Sequence, residues 1–325
     1  MTGNIVVVGS GSIGMRHVRS LRALLPAARF SFVREFGRAA STTALEPGFG
    51  VYTSLDEAMA ARPDLLVIAN PSSLHLRYLL AAIAHQVPFY VEKPVVTSRA
   101  DLAALQAALA VAGPMPVNMV GCNLRFLPSL VMLRGLLAEQ AIGRVVRASF
   151  EAGQWLPDWR PQQDYAASYS ARRELGGGVL LDLIHETDAS RWLLGDFAEL
   201  VGMTGKFSGL EIETEDVAAL VMRRPQGPLV TVQLDYVSRT PVRRYSFVGE
   251  RGTLEWNLPK KRLVLTGEHG IETVLMEGEG FDVPATYPAA MAELLAAIDA
   301  GRPSTQPLEE GLSALAMIFS ARKDN

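Results

Sequence analysis

Three side chains in this sequence have types and spacing suited to moving a proton. His185 has an unperturbed pKa of about 6.5 and either ring nitrogen can relay a proton, which makes it the candidate general acid or base. Asp182 stands three residues earlier in "DLIH". On one helix that spacing brings both side chains to one face, where the carboxylate could orient the imidazole and stabilise the imidazolium. Lys93 precedes Pro94, and helical backbone is disfavoured before proline. The lysine is therefore expected in extended backbone at the carboxyl end of a strand, its ammonium available to negative charge growing on an oxygen. A base and a charge stabiliser are what oxidation of a secondary alcohol requires. Each residue also has an ordinary structural reading: a satisfied core histidine, a capping aspartate and a surface lysine at the sheet's end.

A second constellation is the glycine pattern in "VVVGSGSIGM". Gly9 allows a tight strand-to-helix turn, Gly11 lets the backbone approach a pyrophosphate, and Gly14 lets helix and strand pack closely. Ser10, Ser12 and Ile13 complete a loop whose helix N-terminus would offer N–H groups to phosphates. Alone, the pattern also fits a tight turn. Here it follows an apolar run, opens an amphipathic stretch and heads a β-α-β alternation, which indicates a dinucleotide. The second strand ends "SFVRE", where Glu35 would accept hydrogen bonds from a ribose and Arg34 would attract a 2′-phosphate. The balance favours NAD and leaves NADP open. Asn70, Pro71 and His75 of "NPSSLH", with Glu92 and Lys93, are expected to shape the same cofactor site.

The elements that must hold these groups follow from periodicity. Between Asn4 and Gly121 short apolar runs alternate with stretches of helical length, the signature of a doubly wound parallel sheet buried on both faces. From Cys122 onward, runs such as "LVTVQLDYV" interleave apolar and polar residues with period two, predicting a mainly antiparallel sheet with one solvated or partner-covered face. A helix is expected from about Leu180 to Leu194, and closing helices over Tyr287 to Ala300 and Leu308 to Ala321. A chain of 325 residues exceeds one ordinary core. The expected domains are residues 1–121 and 122–325.

Composition narrows the partners. Some 49% of residues are hydrophobic, and 31 basic against 34 acidic side chains give a net charge of -3 with no broad positive field for nucleic acid. The single cysteine, Cys122, excludes an internal disulfide and a thiol cluster for zinc, in keeping with a reducing cytoplasm. No metal site is expected. The start carries no signal peptide and no apolar run approaches the ~18 residues of a membrane helix.

A substrate pocket should draw on "GQWLPDWRPQQDYAASYSARREL". Trp155, Trp159, Tyr165 and Tyr169 could stack on a ring, while Arg160, Arg172 and Arg173 could meet a phosphate or carboxylate; the same residues equally suit the packing of a long loop. Arg125 of "CNLRF" is a further candidate.

Taken together, "GSGSIGMRHVRSL", "ANPSSLH", "FYVEKPVVTS", "GCNLRFLP" and "GGGVLLDLIHETDASRWLLG" resemble the Gfo/Idh/MocA family of oxidoreductases over nearly the whole chain. The resemblance implies an N-terminal Rossmann domain and a C-terminal α+β domain with a large, mainly antiparallel open sheet. It also implies homodimers or homotetramers formed through that sheet. The implied chemistry is hydride transfer between a nicotinamide and a ring hydroxyl or carbonyl of a sugar, amino sugar or cyclitol, with Lys93 and His185 as its polar groups. Many members place the aspartate four residues before the histidine; the three-residue spacing here leaves the orientation of Asp182 open, with Glu186 and Asp188 nearby. The run from Trp155 to Asp188 is similar to members associated with nonulosonic acid sugars of bacterial surfaces. Two alternatives are a glycosidase that oxidises and re-reduces its substrate on a held NAD, and a cofactor-sensing regulator. Retention of both Lys93 and His185 argues against the regulator.

Overall fold

The computed structural model describes residues 3–34 and 48–322. Two compact units form, one from Met1–Cys122 with Ala285–Leu312, the other from Asn123–Pro284 with Ser313–Asn325.

In the first unit, β1 (Asn4–Val8), β2 (Arg29–Val33), β3 (Gly50–Tyr52), β4 (Leu65–Ile68), β5 (Phe89–Val91) and β6 (Asn118–Val120) lie in the order β3-β2-β1-β4-β5-β6. All neighbours are parallel. The connecting helices are α1 (Ser12–Leu24), α2 (Leu55–Ala60), α3 (His75–Ala84) and α4 (Arg99–Val111). Helices on both faces explain why Ile5 to Val8 and Leu65 to Ile68 are buried without alternation. Ser54 and Ser98 start α2 and α4 by accepting the backbone N–H of Glu57 and Asp101, satisfying donors that a helix start leaves over. The strand order reverses between β1 and β4, and ligands bind open α/β sheets at such a reversal, outside the carboxyl ends of the strands.

The second unit begins with α5 (Pro128–Ala138) and β7 (Val145–Gly153), followed by α6 (Val179–Asp182) and α7 (Ile184–Leu194). Then come β8 (Glu199–Gly205), β9 (Val217–Arg223), β10 (Leu229–Asp235), β11 (Val242–Gly249), β12 (Thr253–Asn257), β13 (Arg262–Thr266) and β14 (Glu272–Glu277). These strands make one sheet in the order β14-β13-β12-β11-β7-β10-β9-β8. Only β7 and β10 pair in parallel; the other neighbours are antiparallel. Alternation along β9 and β10 buries Ala218, Leu220, Met222, Val230, Val232 and Leu234 on one face. On the other face the register aligns Val201, Val221 and Thr231 in one row, and Val201 and Met203 remain 70% and 75% exposed.

The chain closes with α8 (Thr286–Ala300) and α9 (Leu308–Ala321). An uninterrupted second domain over 122–325 is not what forms. The helix α8 packs on α1, where Tyr287 meets the guanidinium of Arg16, and residues 304–308 cover the outer edge of β6. Helical periodicity announces a buried stripe without naming its partner, so the sequence carries no sign of this return.

Candidate active site

The three glycines of the first loop have different physical reasons. Gly9 has φ +98°, and a Cβ there would lie 2.5 Å from the Ala69 carbonyl oxygen. A Cβ on Gly14 would lie 2.0 Å from the carbonyl oxygen of Gly9. Gly11, by contrast, has φ -72° and, among the described residues, nothing within 4 Å of its Cβ position, so none of these requires glycine there. The open space beside it leaves room for a group approaching the backbone from outside, such as a pyrophosphate. The helix α1 that follows has no side-chain cap and no acidic residue in its first turn, leaving its N–H groups and partial positive charge to an anion. Ser10 and Ile13 flank the loop half-buried and Ser12 is exposed.

Asn70 lies just beyond β4, against the same loop: a Cβ on Gly9 would also come 2.8 Å from its backbone nitrogen. Both polar atoms of its side chain are buried without a hydrogen-bond partner among the described residues, a donor and an acceptor available to a ligand. Pro71 is exposed beside it. His75 is fully buried and bridges backbone, with Nε2 3.0 Å from the Asn70 carbonyl and Nδ1 3.0 Å and 3.2 Å from those of Pro94 and Val95. Burial lowers its pKa against the raising effects of these carbonyls and of Glu92. It therefore ties the end of β4 to the segment carrying Lys93. Glu35 lies outside the described residues; Arg34 follows β2, its backbone N–H donating to Tyr52.

Glu92 and Lys93 directly follow β5, at its carboxyl end, and the Lys93–Pro94 peptide is cis. Lys93 is half-exposed. The Glu92 carboxylate takes a contact of 2.6 Å from His17 Nε2 and also accepts the Lys93 backbone N–H at 3.3 Å. Burial alone would raise its pKa, but the His17 hydrogen bond and the charges of His17, Lys93 and His75 bring it below the ordinary value.

In the second unit, Gly176 to Ser190 is buried at every position except His185. The expected single helix over 180–194 is broken at Leu183 (φ -98°, ψ 32°), so Asp182 ends α6 while His185 lies in the first turn of α7. The two residues therefore do not share one continuous helix. Instead, Asp182 is buried and accepts the Tyr236 hydroxyl at 2.6 Å, and the Tyr169 hydroxyl also hydrogen-bonds to it. Burial first, and then the Asp182 charge, push both tyrosines' pKa values up, so both remain donors. Glu186 is spoken for by Arg243 (2.8 Å) and the Tyr245 hydroxyl (3.0 Å), and burial raises its pKa. Asp188 is paired with Arg125.

The residues expected to meet substrate are spread along a series of short 3₁₀ turns between Leu156 and Leu175. Trp159 packs edge-on against Tyr236 at 5.2 Å, and Arg160 lies over Tyr169 at 5.2 Å, so these gather around Asp182. Trp155 instead stacks with Arg239 at 3.7 Å, Tyr165 accepts the Glu211 backbone N–H, and Arg172 faces Glu213 on the surface. Arg173 hydrogen-bonds the Glu213 carbonyl. Arg125 is held inside the unit by Asp188, a structural task the sequence did not signal. Tyr236, Arg239 and His17 were absent from the sequence candidates; a polar aromatic at the carboxyl end of a core strand was the one available hint for Tyr236. Among the described residues no group of three or more His, Cys, Asp or Glu is arranged to hold a metal, and no helix is long and apolar enough to cross a membrane.

Residues 3–118 match the family model for the oxidoreductase family with NAD-binding Rossmann fold, and residues 130–255 match the GFO/IDH/MocA C-terminal domain. Inositol 2-dehydrogenase 2 of Saccharopolyspora erythraea is 30% identical over 72% of this chain and 67% of its own. The 2,7-anhydro-N-acetylneuraminate hydratase of Escherichia coli is 26% identical over 62% of this chain, a match spanning about half (54%) of that protein. Among solved structures, levoglucosan dehydrogenase in complex with NADH and levoglucosan superposes with TM-score 0.82 at 20% identity, covering 98% of this chain and 96% of that one, which establishes a shared fold.

Proposed function

The chain belongs to the Gfo/Idh/MocA family of NAD-binding oxidoreductases, and from that premise we propose that it transfers hydride between NAD and a ring hydroxyl or carbonyl of a sugar, amino sugar or cyclitol. One observation carries the reading beyond family: His185 is the sole half-exposed residue in an otherwise buried stretch, in a chain that also keeps a phosphate cradle open at Gly11.

The nicotinamide, when bound, accepts or supplies the hydride. Gly9 to Gly14 and the start of α1 hold the pyrophosphate, with the Asn70 amide as a further contact. His185 removes the hydroxyl proton in oxidation and returns it in reduction. Lys93, at the carboxyl end of β5 in the first unit, is the donor suited to negative charge developing on a substrate oxygen. Asp182, fixed by Tyr169 and Tyr236, sets its carboxylate among the aromatic side chains, where it accepts hydroxyl donors of substrate or steadies the imidazole. The open sheet face, with Val201 and Met203 exposed, is covered by a second copy of the chain in a homodimer or homotetramer. Cys122 is buried and forms no disulfide, which fits a cytoplasmic setting.

The test is titration with NADH and NADPH in parallel, then turnover of myo-inositol, anhydrosugars, amino sugars and nucleotide-linked sugars followed at the reduced-nicotinamide absorbance band. NADH should bind more tightly and at least one polyol or sugar should turn over. Binding of neither nucleotide would overturn the reading. The hydratase among the relatives favours a second reading in which hydride is taken up and returned within one turnover. Product release without net absorbance change, from protein purified with its nucleotide, would identify that cycle.

A further inference from the structure

His17 is fully buried on α1, yet the hydride chemistry proposed above gives it no task. Its Nε2 lies 2.6 Å from Oε1 of Glu92, while Nδ1 is buried without a hydrogen-bond partner among the described residues. Glu92 is thus the ring's hydrogen-bonding contact. The rings of Tyr90 and Tyr287, at 4.7 Å and 5.8 Å, flank the imidazole, so it cannot tilt away without losing packing. The carboxylate is fenced as well. Its Oε2 accepts the Lys93 backbone N–H, and a Cβ on Gly121 would come within 3.0 Å of that oxygen, so the absence of a side chain there leaves the space in which the carboxylate sits.

We propose that His17 is a positioning residue for Lys93: by holding Glu92 it fixes the Glu92–Lys93 segment to the helix that opens the dinucleotide cradle. This rests on the reading of Lys93 as the group that meets the reacting oxygen. The helix α1 starts at the phosphate end of the cofactor site, and Glu92 starts the segment that presents the ammonium. One short contact between buried polar groups joins the two, so phosphate and lysine are held in one register. Such a link matters because a displacement of a reacting group by about 1 Å costs up to about 100-fold in rate. It works by geometry alone and leaves the proton chemistry to other groups.

The experiment uses the full-length protein and two readouts. Competitive acetylation with limiting acetic anhydride, read by mass spectrometry, compares Lys93 with Lys206 and Lys260 on the same chain, and needs no turnover. In His17→Ala the Lys93 ratio should shift about threefold or more, and His17→Gln, which restores an N–H toward Glu92, should return it most of the way. With a substrate in hand, kcat should fall about tenfold or more in His17→Ala at nearly constant NADH affinity. If His17→Ala does not fold, Glu92→Gln should reproduce the shift in labelling. An unchanged Lys93 ratio, or an equal shift in His17→Ala and His17→Gln, overturns the proposal. Loss of the dehydrogenase reading would appear separately, as absence of turnover in the wild type, while the labelling still decides the role of His17.

Discussion

Arg125 grips Asp188 with two hydrogen bonds, Nε to Oδ2 at 2.9 Å and Nη2 to Oδ1 at 2.5 Å, both side chains lying almost wholly out of water. A fork of this kind satisfies a carboxylate that would otherwise be buried at heavy cost. Arg125→Ala should therefore destabilise the second unit by about 3–5 kcal/mol, and Arg125→Lys, which keeps charge but loses the fork, by less. Urea unfolding measures it. An arginine reserved for substrate would instead leave stability untouched and raise KM.

The glycine loop predicts a split between folding and binding. Gly11→Ala places a methyl in open space at an ordinary φ, so stability should hold within about 1 kcal/mol while NADH affinity drops about tenfold or more. Gly14→Ala forces a carbon onto the Gly9 carbonyl and should cost more than about 2 kcal/mol. Thermal unfolding beside fluorescence titration separates the two.

Tyr169 and Tyr236 share one acceptor. Tyr236→Phe removes a donor from a buried carboxylate and should cost about 1.5–3 kcal/mol. Because Tyr169→Phe acts on the same oxygen pair, the double variant should depart from additivity by about 0.5 kcal/mol or more. Strict additivity in denaturant unfolding would show that Asp182 does not couple them.

Acid should weaken the first unit through His75. Burial lowers its folded pKa, whereas the unfolded imidazole titrates at about 6.5. Between those values the unfolded chain binds more protons, so stability rises with pH up to about 6.5 and is lost as pH falls through that window. Unfolding free energies of wild type and His75→Gln, measured from about pH 5 to about pH 7.5, should differ in slope by up to ~1.4 kcal/mol per pH unit. Parallel curves would remove His75 from the account.

If the proposed pairing uses the exposed sheet row, a charge there should break it. Val201→Glu and Met203→Glu lie on the face away from the core, so light scattering should report a smaller species with secondary structure intact. An unchanged mass would remove the proposed interface through this face.

Much of this molecule was legible because its signals are local. Four consecutive apolar residues before Gly9 announce a strand buried on both faces, and the alternation in "LVTVQLDYV" announces one buried on a single face. What stayed hidden depends on partners distant in sequence. Nothing around Arg125 points to Asp188, 63 residues away, nor around Asp182 to Tyr236, 54 residues away. The break at Leu183 was masked for another reason. "VLLDLIHETDASRWLL" suits a helix throughout, and only tertiary packing decides that one turn ends and another begins.

The return of α8 to α1 sets an order of events during synthesis. A ribosome that has made residue 284 has already delivered the fourteen strands of the described residues, yet the helix bearing Arg16 and His17 still lacks Tyr287 and the rest of α8. The amino-terminal unit, first to emerge, is finished only when residues 285–312 have been made. A nascent or proteolysed chain ending before Ala285 would expose that flank of α1 to chaperones, and acquisition of cofactor would report that α8 had been made.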